Sequence, residues 1–137
     1  MQMLSNEAAS TSLLPTTRRV LVVDDSVPTT RSLANLLRRA GFDPIVCNTG
    51  GEALAYAIDS VAPPAAAVLD VHLPDINGLI LTQKLRAKFG NDTPIIVLSG
   101  DTSMETLGTL PHVGATYFFS KPVSSAQLVE RLNQCVV

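Results

Sequence analysis

The sequence predicts a doubly wound α/β sandwich of the (βα)5 type, built on a five-stranded parallel sheet. Three observations point there. Short runs of β-branched and aliphatic residues recur five times, and a segment that reads as helical follows each one. The runs are apolar throughout rather than alternating, as strands buried on both faces of a parallel sheet are. Four of the five stop at polar residues able to do chemistry, and parallel strands bring all such stops to one edge.

Residues 1 to 17 are rich in Ser, Thr, Ala and Asn without periodicity and read as a flexible tail, with Leu13-Leu14 as an apolar pair able to dock. The folded domain is expected over 18 to 137. Val20 to Val23 form the first strand, which ends at Asp24-Asp25-Ser26. Pro28 suits the first turn of a helix, Leu33, Leu36 and Leu37 give it an inward face, and Gly41 closes it. Ile45 to Cys47 are a short strand. After a turn through Asn48 to Gly51, a helix runs from Glu52 to about Val61 with Ala53, Leu54, Ala57 and Ile58 inward.

Pro63-Pro64 end that unit. The third strand, Ala66 to Leu69, stops at Asp70; a loop through Pro74 and Gly78 leads to a helix carrying Leu79, Leu81, Leu85 and Phe89. Ile95 to Leu98 form the fourth strand, ending at Ser99-Gly100. The segment 101 to 113 is the poorest helix, because Gly108 and Pro111 interrupt it. Thr116 to Phe119 make the fifth strand before Ser120-Lys121-Pro122. Ser124 or Ser125 caps a last helix with Leu128, Val129 and Leu132 inward.

With strand order 2-1-3-4-5, the ends of strands one and three flank the crevice where open α/β sheets bind ligands. Asp24, Asp25, Asp70, Ser99 and Lys121 then converge. Three crowded carboxylates repel unless a cation joins them or protons neutralise them. Oxygen donors suit a hard divalent ion, and partial coordination with retained water suits Mg²⁺ better than a full Ca²⁺ cage. One carboxylate is then free to act as a nucleophile toward phosphorus, with Lys121 and Ser99 holding the phosphoryl oxygens.

Four segments carry a resemblance: residues 20 to 25 (VLVVDD), Asp70-x-x-Leu73-Pro74-x-Ile76-x-Gly78, Val97 to Gly100, and Gly114-Ala115-x-x-Phe118-Phe119-x-Lys121-Pro122. Each is weak alone. In this order and spacing, from about 18 to 135, they resemble response-regulator receiver domains of two-component signalling, with the flavodoxin-like, CheY-like fold. The resemblance implies that Asp70 is the phosphoacceptor and that Asp25, with Asp24 acting largely through water, holds Mg²⁺. Either acid also suits a helix cap. His72 would give the metal its backbone carbonyl, not its imidazole. The imidazole and Asp101 would tune hydrolysis of the acyl phosphate. Ser99 would be the switch hydroxyl and Phe118 the switch aromatic, where the alternative is core packing alone. Lys121 would bind the phosphate, and the bond before Pro122 would be cis.

The implied phosphodonor is a histidine kinase or histidine phosphotransfer protein, with an unknown downstream protein partner and a monomer or phosphorylation-dependent dimer. The domain would not be an enzyme beyond its own phosphorylation and dephosphorylation. A stand-alone regulator is expected; a receiver excised from a hybrid kinase or larger regulator is the alternative.

The chain has 137 residues, enough for one domain, with 46% hydrophobic and 16% charged residues and no Trp. A net charge of −2 gives no field to draw in nucleic acid. No apolar run is long enough to span a bilayer and residues 1 to 19 lack the pattern of a signal peptide, so a cytoplasmic location without membrane contact is expected. Cys47 and Cys135, without metal-ligand spacing, read as apolar fillers, and His112 as a surface residue. An aspartyl-phosphate-forming phosphatase is the nearest rival from another class. Its DxDx[TV] signature is not met by Asp24-Asp25-Ser26-Val27. A nucleotide-binding module would need a Gly-rich phosphate loop after strand one, which this chain lacks.

Overall fold

The computed structural model describes residues 18–100 and 108–136. The expected tail, 1 to 17, and Asp101 lie outside them. The elements are β1 (Arg19–Val23), α1 (Val27–Arg39), β2 (Asp43–Cys47), α2 (Gly50–Asp59), β3 (Ala66–Asp70), α3 (Gly78–Phe89), β4 (Ile95–Ser99), a 3₁₀ turn (Leu110–Val113), β5 (Tyr117–Ser120) and α4 (Ser125–Cys135). All five strands are parallel in the order β2-β1-β3-β4-β5, the doubly wound arrangement expected.

The period-2 geometry of strands divides the core into two layers. Leu21 and Val23 of β1, Ala67 and Leu69 of β3, and Ile95 and Val97 of β4 face α2 and α3, where Ala53, Ala57, Leu81, Leu85 and Phe89 meet them. Val20, Val22, Ala66, Val68, Ile96 and Leu98 face the other way, onto Leu33 and Leu37 of α1 and Leu128 and Leu132 of α4. Burying each of these leucines removes about 2–3 kcal/mol of unfavourable hydration. Both layers together make the apolar strand runs obligatory, since a polar residue in the middle of β1, β3 or β4 would meet a helix on either side.

Local chemistry sets the helix ends. Ser26 Oγ accepts from Thr29 N and caps α1, and Gly41, at φ +92°, turns the chain out of it as expected. Thr49 caps α2 through Glu52 N, which starts that helix at Gly50 rather than Glu52; it ends at Asp59 rather than near Val61, where Ser60 turns to extended backbone. Ile58, expected inward, is 64% exposed: the small residues Ala53 and Ala57 seat α2 on the sheet, and Ile58 falls beyond their stripe. Val129 and Leu54 are half-buried at the margins of their helices. β5 begins one residue late, because Thr116 Oγ1 accepts from Ile95 N.

Ser124 caps α4. Gly108 is exposed but still helical, and Pro111 sits in the 3₁₀ turn, so of the two expected interruptions only that at Pro111 is found among the described residues. Both cysteines are free thiols. His112 is exposed. No described helix is long and apolar enough to cross a membrane.

Candidate functional site

The strand ends are brought together by register. Val23 pairs with Leu69, Asp70 with Leu98, and Ser99 with Ser120, so the residues just beyond β1, β3, β4 and β5 share one edge of the sheet. The ladder continues past the strands: Asp24 N donates to Cys47 O, Val71 N to Leu98 O, and Lys121 N to Ser99 O. Asp24, Asp70 and Ser99 are held on this lattice and are 3%, 5% and 0% exposed. The Lys121–Pro122 peptide is cis, as expected.

Lys121 Nζ lies 3.2 Å from Asp24 Oδ2 and 3.0 Å from Asp70 Oδ2, bridging two buried carboxylates. Partial burial pulls its pKa down, but hydrogen bonds and charge attraction from Asp70 and Asp24 outweigh that, and the ammonium is held above its ordinary range. The remaining oxygens are also engaged. Asp24 Oδ1 accepts from Ser26 N at 2.9 Å, and Asp70 Oδ1 accepts from His72 N at 3.1 Å. Asp24 therefore shapes the turn before α1 but does not cap the helix; Ser26 does.

Asp25 stands apart. It is exposed, and no hydrogen bond or ion pair engages its carboxylate among the described residues. Carboxylate oxygens of Asp24, Asp25 and Asp70 nevertheless lie within 4.8 Å of one another. Three carboxylates against one ammonium leave a formal −2 at the cluster. An all-oxygen donor set with that residual charge fits a hard divalent cation such as Mg²⁺.

The other residues singled out fall around this cluster. The imidazole of His72 is exposed, and the residue makes an antiparallel bridge to Asn77. Ser99 is fully buried at the end of β4, and the position of a Cβ on Gly100 meets no atom within 4 Å, so there is open space beside it. Phe118 is half-buried against the layer that contains Val97 and Leu110, whereas its neighbours Tyr117 and Phe119 face the other layer.

Two residues that support the site, and one that braces the opposite edge of the sheet, were not singled out in the sequence. Asn48 Nδ2 donates to Asp24 O at 2.8 Å and to Thr30 Oγ1 at 3.0 Å. The Asp75 carboxylate reaches the start of α2. Arg86 binds the carbonyls of Gly90, Thr93 and Gly114. All three bond to backbone groups of other segments, and only the Pro74-Asp75 turn pair offered a local signal.

This fold, with an acidic cluster at the carboxyl edge of its sheet, is that of a signalling module, and the comparisons name the class. Residues 20–133 match the response regulator receiver domain, and the chain belongs to that family, a module of two-component signalling. It is 38% identical over 113 residues to the photosynthetic apparatus regulatory protein RegA of Rhodovulum sulfidophilum, covering 82% of this chain and 60% of RegA. The transcriptional regulatory protein PrrA of Mycobacterium tuberculosis is 38% identical over 118 residues, 86% of this chain and 49% of PrrA. The chain thus spans about half to three-fifths of these relatives. A CheY-like receiver domain protein from Methanospirillum hungatei superposes with a TM-score of 0.81 at 27% identity, covering 87% of this chain and 93% of that one.

Proposed function

We propose that this receiver domain takes a phosphoryl group onto the carboxylate of Asp70 and thereby changes a protein-interaction surface. The donor is a phosphohistidine of a histidine kinase or histidine phosphotransfer protein, and the cofactor is Mg²⁺. The observation that carries the reading is the Lys121 ammonium bridging buried Asp24 and Asp70 beside the exposed carboxylate of Asp25.

In the transfer, the phosphohistidine P–N bond breaks as an Asp70 oxygen forms the new P–O bond, and the electron pair returns to the imidazole nitrogen. Asp24, Asp25, Asp70 and the His72 carbonyl would hold the metal. When bound, Mg²⁺ supplies positive charge that lets the acids and the phosphoryl oxygens approach. Lys121 is a compact point charge that moves its N–H donors from the Asp70 carboxylate to the phosphoryl oxygens. Ser99 supplies a hydroxyl next to the space above Gly100. The phosphorylated site carries about −2 charge and new acceptor oxygens. Drawing Ser99 inward frees room for Phe118 to change rotamer, which repacks the surface around β5.

The domain catalyses only its own phosphorylation and dephosphorylation. The same chemistry applies to a stand-alone cytoplasmic regulator and to the receiver portion of a longer protein, the form its curated relatives take.

Incubating wild type and Asp70→Asn with a small-molecule phosphodonor and Mg²⁺, then weighing the intact chains, tests the reading. Wild type gains one phosphate and the variant none. Equal labelling of the variant, or loss of labelling on adding Mg²⁺, overturns it.

A further inference from the structure

We infer that Asp75 is a positioning residue for the Asp70 site, a clamp that fixes the loop after β3 against the turn that holds Asp24. The inference rests on the reading of the site given above.

Asp75 lies in the β3–α3 loop, five residues beyond Asp70. Its Oδ1 accepts from Gly50 N and its Oδ2 from Gly51 N, both at 2.9 Å. Those are the first two donors of α2. The third, Glu52 N, is taken by Thr49 Oγ1 at 3.0 Å. The two amides at the positive end of the helix, Gly50 first and then Gly51, hold the Asp75 carboxyl below its ordinary range, so it is a charged acceptor at neutral pH. Ile76 packs so closely over Gly50 that a Cβ there would overlap its Cγ2 atom. Two charge-assisted bonds and one apolar contact thus join segments 24 and 25 residues apart in the chain.

The turn that Asp75 grips has a second grip on the site. Asn48, two residues before Gly50, donates its side-chain amide to Asp24 O and to Thr30 Oγ1. Its own N donates to Glu52 Oε1 at 2.7 Å. A continuous path therefore runs from Asp70 through the His72 amide and the loop to Asp75, then through Gly50 and Asn48 to Asp24. Helix α2 already has a local cap in Thr49, and Gly51 is exposed, so water can serve the Gly51 amide, whereas Gly50 is buried. What the carboxylate adds is a connection between the loop after β3 and the turn beside Asp24, a brace on metal ligands that the sheet register already brings together.

The test is Mg²⁺ affinity of the full chain by calorimetry, together with labelling by a small-molecule phosphodonor at saturating Mg²⁺. Groups that orient metal ligands typically change affinity by about 10–100-fold when removed, and Asp75→Ala, acting through a loop, is expected at about the 10-fold end. Labelling at saturating Mg²⁺ checks that Asp70 is still an acceptor in each variant. Asp75→Asn keeps one acceptor, falls between wild type and Asp75→Ala, and carries the test if the alanine variant does not fold. Thr49→Ala weakens the same helix end without cutting the clamp and leaves Mg²⁺ affinity unchanged. Wild-type affinity in both Asp75 variants, or equal weakening in Thr49→Ala, overturns the inference alone. A wild-type chain that binds no Mg²⁺ overturns the site reading and the inference with it.

Discussion

Replacing Asp70 with Asn should stabilise the metal-free protein while abolishing its labelling. Asp70 is 5% exposed, and its carboxylate lies within 4.8 Å of two others. At an effective dielectric of about 20, unit charges at that separation repel by about 3.5 kcal/mol. Solvent around the exposed Asp25 reduces its share. Opposing this is the attraction between Asp70 and Lys121 at 3.0 Å, about 5.5 kcal/mol on the same scale. That figure must be discounted too, because 34% of the lysine side chain faces solvent. The charge interactions nearly cancel, leaving the desolvation of a buried carboxylate, which a neutral amide largely avoids. The amide also keeps an acceptor for the His72 N–H. The expected gain is about 1–2 kcal/mol, which raises the urea midpoint by about 0.5–1 M for a domain of this size. Urea unfolding in a chelator, followed by far-UV circular dichroism because the chain has no Trp, measures it. Adding Mg²⁺ should then stabilise wild type more than the variant, since ligand binds only the folded site. A variant less stable than wild type in chelator would refute the reasoning, for it would mean that the lysine's attraction dominates the site.

Three further outcomes follow from other parts of the molecule. Arg86→Ala removes bonds to Gly90 O, Thr93 O, Gly114 O and Thr116 Oγ1; the expected loss is about 2–3 kcal/mol in denaturant unfolding, with Arg86→Lys recovering little because one ammonium cannot span those acceptors. Asp75 has a folded pKa below its ordinary 3.8, so its contribution is complete above that value and is lost as pH falls through the lower folded one. The stability gap between wild type and Asp75→Asn should therefore narrow from about pH 4 downward; a gap independent of pH in urea titrations would contradict this. The Cys47 thiol is pushed up to about 11, first by burial and then by the Glu52 carboxylate. In a Cys135→Ser background it should react with a thiol reagent only as fast as the protein unfolds, and rapid modification of the folded chain would refute that.

The fold was legible in the sequence because parallel strands buried on two faces leave a continuous apolar signature. Val20 to Val23 and Ile95 to Leu98 could hardly be anything else at that length. The edge residues were legible for the complementary reason: Asp24, Asp70 and Ser99 interrupt apolar runs where no core residue should be polar. Ile58 misled because its spacing suits either side of the inward stripe, and tertiary packing of Ala53 and Ala57 decided between them. Asn48, Asp75 and Arg86 were hidden for a different reason. Their partners are backbone groups on other elements, and a backbone amide or carbonyl has no letter in the sequence.

The adjacent acids Asp24 and Asp25 show how a fold gives identical side chains unequal freedom. Asp24 continues the β1 ladder through Cys47 O, and its two oxygens are taken by Ser26 N and Lys121. Its carboxylate is thus committed to shaping the turn and balancing the lysine, and moving it would disturb both. Asp25, one residue on, points where the ladder has ended, and among the described residues nothing holds its carboxylate. A strand end has room for one group bound into the lattice and one left to a ligand. The two acids thus differ in what engaging them would cost: Asp24 would give up bonds it already makes, whereas among the described residues Asp25 has none to give up.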